Sequence, residues 1–331
     1  MTPSATPPMN TPFGTLPDGR KVESLTLAAG DLTIRLLTLG ATLNDVRLSG
    51  IPHSLTLQSD DPADYLGPML YFGGIVGPVA NRIRGAQATI AGFVHNFEAN
   101  QSGRHILHSA SAGTHLKLWD VIDAAPAAAT FALSLPDGEG GFPGNRRLTA
   151  RFTLAAPATL RLDLTMTTDA PTIANVVNHS YWNLDGTPTW EGHTLRITAD
   201  AILPVDADTI PTGEVMPVAG TDYDFRRPRT ITPGAPALDH NFCLSDGPRP
   251  LRDVLTLTGR SGVTMTLATT EPGVQVYDGG HTRRPGGQLH EGFAIEPQHW
   301  PDTPHNRHFP PITLAPGDTR TSTTTWRFSR P

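Results

Sequence analysis

Apolar and polar residues alternate along most of this chain. Across residues 159–167, Leu160, Leu162, Leu164 and Met166 alternate with Arg161, Asp163 and Thr165. That is the period-two pattern of a strand with one face on a core and the other in water. The run 148–154 alternates in the same way, and the short "AAPA" link after it predicts a hairpin. Further strands are predicted in "DLTIRLLTLG", "ATLNDVRLS", "SLTLQ", "ATIAGFVHNF", "LWDVIDA", "TFALSLP", "TLRITADAILPV", "VLTLTG", "VTMTLATT", "VQVYDG" and "TTTWRFS". Their threonine and valine content suits a pleated, half-buried surface. "TGRSGV" (258–263) predicts a tight turn between two of them. No segment carries a sustained 3.6-residue apolar stripe. Short strands with turn signals between them predict an all-β fold, a large antiparallel β-sandwich with few short helices. With no internal repeat and no dividing linker, the expectation is one domain over 13–331, preceded by a flexible tail over 1–12.

Composition narrows the function classes. Glycine and proline reach 32 each in 331 residues, but they are scattered, so they read as turns rather than disorder. The net charge of −6 is mild, with no basic block for a nucleic-acid partner and no basic amphipathic stretch for a membrane surface. The single cysteine, Cys243, excludes a disulfide framework and a cysteine-rich zinc module. No apolar run is long enough to span a bilayer, and the N-terminal residues lack the apolar stretch of a signal peptide. The expectation is a soluble, cytoplasmic protein, monomer or homodimer.

The segments that break alternation hold the candidate chemistry. "GGIVGPVANRIRG" (73–85) lacks the Lys-Ser/Thr ending of a phosphate loop. It reads either as a turn with surface arginines or as a loop that places Arg82 in a pocket, where its planar fork clamps hydroxyls or a carboxylate. "HILHSASAGTHLKLW" (105–119) contains His105, His108 and His115, which without converging ligands read as hydrogen-bonded structural or surface residues, not a metal site. In "NVVNHSYWNLDG" (175–186), alternation puts Val177, His179 and Tyr181 on one face and Asn178, Ser180 and Trp182 on the other. A histidine among amides and aromatic rings suits a carbohydrate pocket as well as a satisfied core. Asp239 in "ALDHNFCL" is either a site acid or a turn cap. Glu296, in "FAIEPQHWPDTPHN", follows strand-like residues and precedes a loop rich in proline, histidine and tryptophan. A carboxylate at the end of a buried strand, aimed into an aromatic loop, is either salt-bridged or a base.

Taken together, "ANRIRG", "LH" at 107–108, "DGEGGFPGN", "NHSYWNL", "ILPVDADTIPTGEVMPVAGTDYDFR", "LDHNFCL", "VQVYDG" and "EPQHWPDTPHNRHFP" resemble, in order, the landmarks of the aldose 1-epimerase (galactose mutarotase) family. The resemblance runs from about residue 12 to the C-terminal end and implies that family's sandwich fold. It implies Glu296 as catalytic base, His179 as general acid and His108 as a second active-site histidine. Arg82, Asn81 and Asp239 take substrate-binding roles, with Gln275 near the site. The chain departs from the family pattern at Gly77-Pro78, at Ser109 and Ala110 after His108, at Thr114, His115 and Leu116, and at Gly140. These departures bear on the fit around the sugar.

Mutarotation opens a hemiacetal ring and recloses it on the other face. It needs a base for the O1 proton and an acid for the ring oxygen, each within hydrogen-bond reach. No metal, cofactor or redox centre is required. A carboxylate beside His179 is expected to raise the imidazole's pKa toward neutrality. Trp300 and Trp182 are candidates to stack on the pyranose, with Tyr181, Phe142 and Tyr277 as weaker ones; core packing explains each tryptophan equally well. Three other classes stay open on the residues alone. Asp239 with Glu296 supplies the two carboxylates of a glycoside hydrolase. A non-catalytic sugar-binding module needs only the pocket. A relative acting on phosphorylated sugars would use a basic cluster such as Arg226, Arg227 and Arg229.

Overall fold

The computed structural model of the chain describes residues 10–331. Most of the tail expected over 1–12 therefore lies outside the described residues, and Thr11 and Pro12 already belong to the first strand, Thr11–Thr15. Among the described residues there is no α-helix, only short 3₁₀ turns, and none is long and apolar enough to cross a membrane.

The strands form three principal antiparallel sheets. A four-stranded meander runs from Thr11–Thr15 through Lys21–Ala29 and Leu32–Leu37 to Thr42–Leu48. A nine-stranded sheet begins with Asp120–Ala125, Ala128–Leu135, Arg146–Ala155 and Thr159–Thr168 in sequence order. It then takes in Arg320–Ser329, Thr264–Thr269 and Arg252–Thr258, and ends with Thr194–Ile197 and Arg229–Thr230. The hairpin expected over 148–167 is present, with Leu162 opposite Phe152, and so is the turn at 258–263. The third, six-stranded sheet is built on Phe293–Gln298, Gly273–Tyr277 and Asp239–Cys243.

Alternation explains the packing. Phe152, Leu160, Leu162 and Trp326 of the large sheet, Phe242, Val274, Val276, Phe293 and Ile295 of the six-stranded sheet, and Leu25, Leu27 and Ile34 of the meander all enter one apolar cluster. Two sheets share this core face to face, as period-two patterning on both requires. The other face of the six-stranded sheet is left for polar residues.

Four expectations fail locally. "ATIAGFVHNF" is a hairpin of Gln87–Ile90 and Phe93–Asn96, turned at Ala91 and Gly92. "TLRITADAILPV" divides between Thr194–Ile197 of the large sheet and Ala201–Ile202 of the six-stranded sheet. "SLTLQ" contributes only an isolated bridge at Thr56, because the chain there runs along a sheet end and Leu57 bonds across to Tyr181. The segment 175–186 is not one strand. Val177–Asn178 pairs with Ile75–Val76, whereas Tyr181–Trp182 pairs with Phe293–Gln298. The break falls at His179 and Ser180.

Trp326 lies on Arg320–Ser329, in the middle of the large sheet between Thr159–Thr168 and Thr264–Thr269. It is fully buried and leans on Trp182 with ring centroids 5.9 Å apart. Trp326→Ala empties a site that two rigid sheets cannot close, and we expect denaturant unfolding to show a loss of about 3–5 kcal/mol.

Candidate active site

The outer face of the six-stranded sheet presents two rows of side chains. Register places Asn241 beside Gln275 and Gln275 beside Glu296. Two residues along, Asp239, Tyr277, Ala294 and Tyr181 align across four strands. Because side chains on one face recur every second residue, both rows point the same way. Above them lies a cavity of roughly 500 Å³ lined by Glu296, Asp239, Tyr277 and Tyr181 from the sheet. Loops add His179, Asn81, His108 and Tyr71, and the short strand Arg82–Ile83 adds Arg82.

Glu296 sits inside its strand, not at the end, since Phe293–Gln298 continues past it. The aromatic loop that follows leads away from the cavity. Trp300 is nearly buried, donates its indole N–H to the Pro272 carbonyl at 3.0 Å and packs edge-on against Phe309. Trp182 is in the sandwich core, and Phe142 stacks on Phe97. None of these three lines the cavity; the aromatic walls are Tyr71, Tyr181 and Tyr277. The phase of alternation accounts for this in Trp182, which points opposite to Tyr181 and so inward.

Of the other candidates, Gln275 is 3 % exposed and lies beneath the cavity wall. Its amide donates to Asp239 Oδ1 at 2.6 Å. Arg82 approaches the other oxygen of Asp239 at 3.4 Å, and its Nε–H donates to Gln101 Oε1 at 2.8 Å. Gln101 in turn donates to the Asp208 carbonyl at 2.9 Å, next to the cavity-lining Thr209. Sequence reasoning missed Gln101 and Tyr71, because neither amide nor phenol carries a signal until the partner is seen. Arg226 is engaged by Asp224 and Asp200, away from the cavity lining.

At the cavity floor, His179 Nε2 lies 3.5 Å from Glu296 Oε1, with both side chains under 5 % exposed. His108, whose ring is 5.2 Å from that of His179, completes a trio with donor atoms within 4.8 Å of one another. This is the one such trio among the described residues that could share a metal ion. Tyr71 packs against the rings of His108, His115 and His179 at 4.5, 5.0 and 5.6 Å.

Burial governs the protonation of the floor. It pushes the Glu296 carboxyl well above the usual carboxylate range; Asp239 adds to the effect and Arg82 opposes it. It pushes His179 down to about 4. The expected upward shift of His179 is therefore reversed, because lost hydration outweighs the one opposing contribution, a hydrogen bond with the residue's own backbone. Behind Tyr71, burial holds His115 at about 3. Asp239 and Glu296 are both present, but the group across from Glu296 at contact distance is an imidazole.

Residues 23–327 match the family model described as aldose 1-epimerase. A galactose mutarotase of Rattus norvegicus is 33% identical over 337 residues, covering 96% of this chain and 98% of that protein. An aldose 1-epimerase of Escherichia coli (strain K12) is 31% identical over 338 residues, covering 94% and 96%. Among solved structures, a galactose 1-epimerase from Lactobacillus acidophilus NCFM aligns with a TM-score of 0.83 at 27% identity over 98% of both chains. A GalM/aldose epimerase homologue from C. elegans aligns with a TM-score of 0.86 at 26% identity, covering 93% of this chain and 99% of that one.

A raised carboxyl pKa means that the folded chain holds a proton which the unfolded chain has released. This contribution to stability is complete below the unfolded carboxyl pKa and is lost as pH rises toward the folded one. Glu296→Gln removes that loss. We expect its denaturant midpoint to exceed that of the native chain at pH 7 and the gap to close toward pH 4. An equal gap at both pH values would contradict the assigned shift.

Proposed function

The chain belongs to the aldose 1-epimerase family, isomerases acting on carbohydrates, and from that premise we propose that Glu296 and His179 move the two protons of ring opening. The reaction interconverts the α- and β-anomers of an aldose. The observation that carries the assignment is the 3.5 Å approach of His179 Nε2 to Glu296 Oε1 on the floor of the sugar-sized cavity.

The chemistry follows from a proton count. To open the ring, the Glu296 carboxylate takes the O1 proton while the His179 imidazolium gives one to the ring oxygen. The C1–O5 bond breaks and O1 becomes the aldehyde oxygen. The pair is then a carboxylic acid and a neutral imidazole. After rotation about C1–C2, the same transfers run backwards and close the ring on the other face. The pair holds one proton before and after each transfer, so nothing is consumed. Burial favours the uncharged form, the one that accompanies the open-chain sugar. The cyclic sugar, by hydrogen-bonding to both groups in place of water, supports the charged form from which opening starts.

Asp239 and Arg82, buttressed by Gln275 and Gln101, form the sugar-binding wall. An Asp–Arg pair offers acceptors and donors together, which suits vicinal hydroxyls. Asn81 lines the same wall. The glycoside hydrolase reading needs a second carboxylate across the scissile bond, and Asp239 is already held by Gln275 and Arg82.

Polarimetry on freshly dissolved α-anomers of several aldoses tests the assignment. Glu296→Gln is expected to abolish nearly all catalysed rotation while remaining folded, and His179→Asn to lose at least about a hundredfold in kcat. A loss confined to KM in the second variant would reassign His179 to binding. The active pair holds one proton, so kcat/KM, which reports the sugar-free enzyme, should be bell-shaped in pH. Its acid limb belongs to His179, below the ordinary imidazole range, and its alkaline limb to Glu296, above the ordinary carboxylate range. Asp239→Asn removes a charge that raises Glu296 and should move the alkaline limb to lower pH, whatever it does to KM.

A further inference from the structure

The two imidazoles of the cluster are held by different partners. The short strands Arg82–Ile83 and Ile106–Leu107 pair in antiparallel register. Beyond them the backbone turns left-handed, with φ of 58° at Asn81 and of 52°, 62° and 47° at His108, Ser109 and Ala110. Side chains continue the ladder where the backbone leaves it. The His108 N–H still donates to the Asn81 carbonyl at 2.9 Å. The return bond, from the buried Asn81 N–H, goes to His108 Nδ1 at 3.1 Å instead of to a carbonyl. One step further, Ser109 Oγ accepts from the Val79 N–H at 3.0 Å and donates to the Val79 carbonyl at 2.9 Å.

A backbone amide can only donate. Nδ1 of His108 must therefore present its lone pair, and the proton of the neutral ring sits on Nε2. Protonating Nδ1 would set two N–H groups against each other and leave the Asn81 amide buried without an acceptor. His179 is free of this constraint: its Nδ1 is buried with no donor against it, and its Nε2 faces Glu296.

We propose that His108 is a permanently neutral hydrogen-bond donor, locked as the Nε2–H tautomer by the backbone amide of Asn81, and that His179 is the only imidazole of the pair that takes up and releases the catalytic proton. This deepens the acid–base reading of Glu296 and His179 and rests on it. The surroundings agree. Facing the His108 ring are His179 and Glu296 across the floor, Arg82 on the adjoining strand, Tyr71 on its face and His115 behind Tyr71. Burial and the cationic or potentially cationic members of that set, His179, His115 and Arg82, all oppose a charge on the ring. In the cavity, an Nε2–H can support a hydroxyl or the ring oxygen of the sugar as a donor, but it has no proton to surrender. Asn81 thereby becomes a positioning residue through its main chain, in addition to its place in the cavity lining. The same tautomer weighs against the trio as a metal site, because His108 then offers no lone pair at Nε2.

The test reads the tautomer directly. In the sugar-free protein labelled with ¹⁵N-histidine, two-bond ¹H–¹⁵N correlations should show His108 with a pyrrole-type Nε2 and a pyridine-type Nδ1, unchanged from about pH 5 to about pH 9. The resonance is assigned by its loss in His108→Gln. A protonated Nδ1, or an imidazolium forming within that range, would overturn the proposal. The second arm is kinetic. The Gln amide nitrogen reaches the Nε2 position and keeps a donor in the cavity, whereas the Asn amide reaches only the Nδ1 position. His108→Gln should retain at least about tenfold more kcat/KM than His108→Asn. The acid limb of kcat/KM in His108→Gln should stay where it is in the native enzyme; a limb that disappears or moves would place the acid at His108 and sink the assignment. The spectrum needs no turnover, so a wrong tautomer leaves the ring-opening reading standing. Absent polarimetric activity in the native protein would remove that reading and leave the spectrum as it is.

Discussion

Removing water from two ionisable groups at once is the constraint on which this site depends. Glu296 and His179 lie at the bottom of a cavity whose walls are tyrosines, a clamped Asp–Arg pair and a strained loop. Neither group has the hydration that would settle its charge, so each is pushed toward its neutral form. In water the same two side chains would exchange protons with solvent indifferently. Here their proton can be redirected by whatever oxygen atoms enter the cavity, and an aldose brings two of them bonded to one carbon.

The sandwich makes that dryness possible. Period-two alternation gives the six-stranded sheet an apolar face against the large sheet and a polar face outward, with Glu296, Gln275 and Asn241 in one row and Asp239, Tyr277 and Tyr181 in the next. Strands hold these residues more rigidly than loops would. The loops contribute the opposing side, and they too are fastened. Arg82 is held through Gln101 and Asp239, and His108 through the main chain of Asn81. The arrangement supports a reaction that needs fixed distances and no large motion.

Much of this was legible in the residues. Strict alternation in 159–167 and its neighbours marked the strands and the hairpin, because a half-buried strand leaves no other pattern. The break in alternation around His179 marked a site because a polar run on a strand has to serve something. Three things could not be read. The residues alone leave Trp300 and Trp182 open between stacking on a sugar and packing in the core, because alternation sets Trp182 opposite Tyr181 without saying which of the two faces the cavity, and Trp300 lies beyond its strand. The direction of the His179 shift depends on how much water is excluded, a property of the whole assembly and not of one neighbour. Gln101 and the His108–Asn81 contact depend on loops that meet only in three dimensions, where a left-handed turn replaces a carbonyl by a ring nitrogen.

The position of Arg320–Ser329 between Thr159–Thr168 and Thr264–Thr269 carries a consequence for biosynthesis. The last described strand to leave the ribosome is the keystone of the largest sheet. Until it arrives, the flanking strands expose unpaired edges and an apolar face that would be covered by Trp326. The meander of residues 11–48 can form early from neighbouring segments, but the nine-stranded layer closes only after translation has passed it. Nascent chains stalled short of residue 320 should therefore be clients for holding chaperones.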